Sequence, residues 1–297
     1  MILPRHLRAA ALLLTTLSLL VVGVSSYLRL ESAGLGCVDW PACYGRPPVL
    51  PVHSPYYSPL RLAHRIMAVL SLLLTIHLLW RCRRSPALSG VARSAAALLF
   101  VMLALATLGI WSGQPRLAPI VFLNLLGGLA LVSFSWRIVL ATHVTTPLQR
   151  HPPTLHLGAL LLTMTVLFGA GIGAAQLAPT CPSFPACNGQ WWPGTADWAA
   201  LWMALSDGPT QPASGVPLHL LHRYGALFSL LLLVHAAVAI WRNGNRRRAA
   251  AALLAALTST IIFGAATVVS GLPLGLTMAH VLGVALTLTT LATLLRR

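Results

Sequence analysis

Long apolar runs and short polar breaks alternate along the whole chain. Eight runs reach the length of about 20 residues that crosses roughly 30 Å of hydrocarbon. They cover about 9–27, 63–80, 94–112, 118–140, 155–175, 218–241, 249–270 and 274–294. Each predicts a transmembrane helix, because a helix satisfies its own backbone polar groups where lipid offers none. Only two connections are long, 28–62 and 176–217. The first run follows basic residues and precedes Ser25 and Ser26, as a secretory signal would. It is longer than the 7–15 residues of a signal core, so it reads as a retained helix.

Composition narrows the function classes. Hydrophobic residues make up 57% of the 297 and charged residues 8%, against about 25% charged in a soluble domain. Such a chain lacks the polar surface of a soluble enzyme and the polarity of a disordered one. The net charge of +16 does not point to nucleic acid: no lysine is present, and all 20 basic residues are arginines beside or between apolar runs. With the N-terminus inside, the outer side holds only Arg29, Arg46, Arg61, Arg65, Arg116 and Arg223. The other arginines fall inside, as the positive-inside rule requires. All four acidic residues, Glu31, Asp39, Asp197 and Asp207, fall in the two long connections. The expected topology is eight spans in a bacterial inner membrane, both termini cytoplasmic and both long connections outside. No acidic residue lies within a span, which disfavours a transporter.

The chain repeats itself. Cys37-Val-Asp-Trp-Pro-Ala-Cys43-Tyr-Gly in the first long connection matches Cys181-Pro-Ser-Phe-Pro-Ala-Cys187-Asn-Gly in the second. Leu62-Ala-His64-Arg65 is echoed by Leu220-Leu-His222-Arg223, and Ser71 and His77 by Ser229 and His235. These matches predict two tandem four-helix halves, 1–147 and 148–297, in the same orientation. The outer cysteine pairs, Cys37 with Cys43 and Cys181 with Cys187, are spaced to close short disulfide loops in an oxidising compartment. A zinc site built from all four is the alternative. Cys82, alone at an inner helix end, is assigned no chemistry.

Of the eleven histidines, His6, His53, His143 and His151 fall in loops or tails, and His156 at an inner helix end. His77 and His235 lie 13 residues beyond His64 and His222, about 220° round the helix, and read as structural. His64 and His222 open spans two and six on the outer side. His280 lies at similar depth in span eight, and Asn124 is its counterpart in span four: Asn124-Leu-Leu-Gly-Gly aligns with His280-Val-Leu-Gly-Val. Two histidines from different helices at one depth are what bis-imidazole haem ligation needs.

With these motifs in this order the chain resembles the haem A synthase family over nearly its whole length. The carrying residues are Arg29-Leu-Glu-Ser-Ala-Gly-Leu-Gly-Cys37 through Gly45, Ala63-His64-Arg65, Cys181 through Pro193, His222-Arg223 and the His280 helix. The resemblance implies an all-α polytopic membrane protein of eight helices in two pseudo-symmetric four-helix bundles. It implies haem b in the second half on His222 and His280, with Arg65 and Arg223 near haem propionates. It implies a first half that takes haem O as substrate, with His64 as its protein ligand, and oxidises the C8 methyl to a formyl in cytochrome oxidase biogenesis. Expected partners are haem O, the haem O synthase, an electron donor or acceptor and membrane lipid, with a homo-oligomer allowed.

Two positions depart from the family pattern. Relatives usually carry histidine where this chain has Asn124, and glutamate where it has Arg61. A carboxylate can handle protons and an arginine cannot, so that task would pass to Glu31 or Asp39. Two function classes therefore remain open: a haem A synthase-type oxidoreductase, or a non-catalytic haem-b-binding paralogue or assembly factor.

Overall fold

The computed structural model describes residues 5–35, 55–111, 117–142, 151–207, 215–242 and 246–296. Cys37, Cys43 and Asp39 lie outside the described residues, and so does the expected Cys37–Cys43 bond. Nine α-helices account for most of the described chain: α1 Arg5–Ser32, α2 Tyr57–Cys82, α3 Ser89–Trp111, α4 Ala118–Ala141, α5 Pro153–Ala174, α6 Thr195–Asp207, α7 Val216–Arg242, α8 Arg247–Val269 and α9 Leu274–Leu294. All but α6 are long and apolar enough to cross a membrane, and they coincide with the eight apolar runs. The protein is an all-α polytopic membrane protein.

The helices reach further than the runs. α1 continues to Ser32, so Arg29 and Glu31, expected in the outer connection, sit on its last turn. α6 forms inside the second connection, where the hydropathy pattern predicted none. Breaks are set by backbone chemistry. Pro153 opens α5, and Pro119 lies in the first turn of α4, positions where a missing N–H costs nothing. Between α8 and α9, Gly271 and Leu272 take positive φ, and Leu272 N–H returns to the Thr267 carbonyl at 2.7 Å. Pro273 then caps the start of α9. That tight turn sets α9 antiparallel along α8.

Buried side chains gather in two main clusters. One joins α1–α4 through Leu14, Leu78, Leu98 and Ile138. The other joins α5, α7, α8 and α9 through Leu155, Leu233, Leu253, Leu257 and Leu294. Cys82 is a free thiol within the first cluster. A small seam of Val22, Val132 and Ala285 lies between α1, α4 and α9, beside a bond from Trp136 Nε1–H to Thr293 Oγ1 of 2.7 Å. The outward faces are apolar too: Leu62, Ile66, Val69, Leu73 and Ile76 form an exposed stripe along α2. In water such a patch would drive association; in a bilayer it is the lipid face.

Candidate functional site

Lipid removes the hydrophobic drive between helices, so α5, α7, α8 and α9 approach through small residues and interhelical hydrogen bonds. α7 carries His222 and α9 carries His280. Their rings meet edge to face, with centroids 6.2 Å apart and planes at 84°. Each ring is held from outside the pair. His222 Nδ1 lies 2.8 Å from the Thr165 carbonyl of α5, and His280 Nδ1 lies 2.9 Å from the Thr260 carbonyl of α8. A carbonyl only accepts, so in both rings Nδ1 carries the proton and Nε2 keeps its lone pair. That is the tautomer a metal-binding imidazole needs.

A haem fits this donor set. Two imidazoles sharing one metal sit about 6 Å apart between centroids, from two metal–nitrogen bonds of about 2 Å and two ring radii of about 1 Å. The observed 6.2 Å meets that spacing. The backbone beside each ring is also bare: a Cβ at Gly169 would lie 2.8 Å from His222 Cε1, and one at Gly264 would lie 2.8 Å from His280 Cε1.

Other expected residues fall as follows. His64 is half-buried on α2 and Asn124 half-buried on α4, while Arg61 and Arg65 are exposed. Among the described residues no hydrogen bond or ring contact joins His64 to Asn124. Arg223, expected near a propionate, donates from its guanidinium to the carbonyls of Cys181 at 3.1 Å, Pro185 at 2.9 Å and Ala186 at 2.8 Å. Its neighbour Tyr224 donates to the Trp191 carbonyl. Both clamp the second cysteine loop, which is closed by a Cys181–Cys187 disulfide. The zinc alternative fails for this pair, because both sulfurs are spent in the bond. His235 lies within 3.2 Å of Thr154 Oγ1, in keeping with its structural reading.

One residue escaped the sequence reading. His219, a turn before His222, is buried and donates Nε2–H to the Leu177 carbonyl at 2.9 Å. It pins the start of α7 to the turn that follows α5. Its place relative to His222 is that of Arg61 relative to His64, which is the signal that could have found it.

A family profile described as cytochrome oxidase assembly protein matches residues 114–292. The chain belongs to that family. The match takes in the whole His222–His280 arrangement and Asn124, and begins after His64. The chain is 29% identical to heme A synthase of Shewanella oneidensis over 305 residues, spanning 93% of this chain and 92% of that protein. It is 32% identical to heme A synthase of Symbiobacterium thermophilum over 137 residues, 44% of this chain and 41% of that protein.

Proposed function

We propose that this member of the cytochrome oxidase assembly family is a heme A synthase, oxidising the C8 methyl of haem O to a formyl. The observation that carries the reading is the paired, tethered imidazoles of His222 and His280 in a chain collinear with a relative of that name over nearly its full length. The two halves 1–147 and 148–297 divide the work, the first taking substrate and the second a resident haem b.

His222 and His280 would hold that haem b through Nε2, and the haem would supply one-electron transfer when bound. The carbonyls of Thr165 and Thr260 fix ring orientation. Arg223 keeps the Cys181–Cys187 loop seated over the outer end of α7 and has further N–H donors for a propionate. In the first half His64 is the protein ligand to haem O, an exchangeable single ligand that suits a substrate. Asn124 offers a hydrogen bond where relatives offer an imidazole. Exposed Arg61 and Arg65 pair with propionates, and Glu31 on the last turn of α1 handles protons. The assignment puts the cysteine loops and haems at the outer side of a bacterial inner membrane, with haem O synthase as supplier.

The test is complementation of a haem A synthase-null strain, with haems extracted and resolved by chromatography. Haem A that disappears with His64→Ala supports the enzyme. Haem O without any oxidised product, in cells where the protein is inserted and haem-loaded, overturns it in favour of the haem-binding paralogue.

A further inference from the structure

The two histidine tethers are built from the same parts. On α5 the sequence Thr165-Val-Leu-Phe-Gly169 faces His222-Arg-Tyr-Gly225 of α7. On α8 the sequence Thr260-Ile-Ile-Phe-Gly264 faces His280-Val-Leu-Gly283 of α9. In each pair the histidine donates to the threonine carbonyl. The glycine four residues after the threonine lies against the ring: an added Cβ would come within 3.1 Å of His222 Nδ1 at residue 169 and within 2.9 Å of His280 Nδ1 at residue 264. The glycine three residues after the histidine lies against the threonine. A Cβ there would meet Thr165 Oγ1 at 2.3 Å from residue 225, and Thr260 Oγ1 at 2.6 Å from residue 283.

The chemistry of the arrangement follows from helix geometry. A helical carbonyl points along the axis towards residue i+4 and is already bonded to that residue's N–H. Its second lone pair can be reached from the side only where residue i+4 has no side chain in the way. Gly169 and Gly264 hold that position for Thr165 and Thr260. Gly225 and Gly283 let the partner helix come close enough for a short imidazole to bridge the gap. The threonine hydroxyls stay out of the competition, since Thr165 Oγ1 and Thr260 Oγ1 donate one turn back along their own helices, to Leu161 and Ala256.

We propose that Gly169 and Gly264 are positioning residues for the two axial ligands: they bare the Thr165 and Thr260 carbonyls, and so set the tautomer and ring plane of His222 and His280. The proposal rests on the reading of those histidines as haem ligands. The first half has only fragments of the device. Gly127 lies against Leu105 as Gly283 lies against Thr260, and Met67 follows His64 where Gly225 follows His222. A side chain at 169 or 264 forces the ring off its carbonyl, because the clash is with the ring itself.

The test uses the full-length protein purified from membranes in detergent, with Gly169→Ala, Gly264→Ala, His222→Ala, His280→Ala and a control, Gly158→Ala. The control adds a comparable clash in the same helix pair, 2.8 Å from Leu233 Cδ2, without touching an imidazole. Haem retention, the low-spin absorption spectrum and the g-anisotropy of the ferric signal are read per inserted protein. Near-perpendicular axial rings give large anisotropy, and a turned ring reduces it. Loss of second-shell support costs roughly 10- to 100-fold in metal-site affinity. That fall is expected in haem retention for Gly169→Ala and Gly264→Ala, with reduced g-anisotropy in the haem that stays, while Gly158→Ala matches the parent. Parent-like spectra and retention in both glycine variants overturn the proposal, as does an equal loss in all three, which would make helix spacing the cause. If Gly169→Ala fails to insert, Gly264→Ala in the other helix pair decides by the same readouts. Low-spin haem surviving in both histidine variants overturns the ligand reading instead.

Discussion

Arg223→Ala should loosen the second cysteine loop more than cutting its disulfide does. The guanidinium donates to three carbonyls within Cys181–Ala186. A hydrogen bond to a charged group contributes about 1.5–3 kcal/mol when well shielded. These are partly exposed, so about half of the three-bond sum is lost to solvent screening. Roughly 2–4.5 kcal/mol remains. The Cys181–Cys187 bond spans a sequence separation of 6, and closing so short a loop is worth about 2 kcal/mol in chain entropy. That term acts on the unfolded chain and leaves the docked loop in place when removed. Removal of Arg223 acts on docking directly. Hydrogen exchange read by mass spectrometry over residues 178–194 separates them. The reporters are the paired amides of Cys187 and Gln190 and the Asn188 amide bonded to Ser183 Oγ. Arg223→Ala should speed their exchange roughly 30- to 1,600-fold, since each 1.4 kcal/mol of opening free energy is tenfold. A Cys181→Ser, Cys187→Ser double variant should give a smaller change. Unchanged protection in Arg223→Ala, or a larger effect from the double variant, would refute the reasoning.

Other expectations follow from the same geometry. His222→Ala and His280→Ala should each abolish the low-spin b-type spectrum, because six-coordinate iron needs both imidazoles; a normal spectrum in both refutes the assignment. Peptide mapping without reductant should find Cys181 linked to Cys187 and Cys37 linked to Cys43; a link between the halves, or four free thiols, counts against the loop reading. His219→Ala should lower thermal stability by about 0.5–1.5 kcal/mol, because it removes one of two donors to the Leu177 carbonyl and leaves only the Thr180 N–H; an unchanged midpoint would show that the bond carries no net weight. Asn124→His should add a second low-spin haem when haem O is supplied, since Gly109 on the neighbouring helix has open space beside it; no added signal would show that the first half lacks more than this ring.

The eight spans were legible because crossing a bilayer leaves a one-dimensional mark, an apolar run of fixed length, and all eight helices coincide with those runs. His222 and His280 were legible because the internal repeat placed them at one depth. α6 was not, since a helix of 13 residues carrying Trp198 and Trp202 is too short to register as an apolar run. The tethers were not legible either, because their acceptors are backbone carbonyls, which every residue has. Only the glycines betray them. The two copies also have unlike spacing, 57 residues from Thr165 to His222 and 20 from Thr260 to His280, since the first encloses the cysteine loop and α6. A search at constant period passes over such a pair. The loop-clamping role of Arg223 was not legible for a related reason: its partners are backbone carbonyls, and the sequence suggested only a propionate partner.

Under the proposed assignment, the difference between the halves bears on how a substrate and a resident group of the same chemistry would be kept apart. Both are iron porphyrins, so neither charge nor shape of the macrocycle sorts them. What differs is how far each histidine is ordered beforehand. His222 and His280 are each fixed by an interhelical bond, whereas no hydrogen bond to the His64 ring forms among the described residues. Immobilising a side chain on binding costs about 0.5–1.5 kcal/mol. Two rings fixed in advance spare the second half about 1–3 kcal/mol, roughly 5- to 150-fold in affinity. A second protein ligand adds to this where Asn124 offers none. Differences of this kind between related sites are expressed mostly in dissociation rates. On the proposed assignment the second half would retain its haem through many encounters while a haem at His64 would come and go, and that ordering of residence times would let one chain hold a cofactor and turn over a substrate of nearly the same structure.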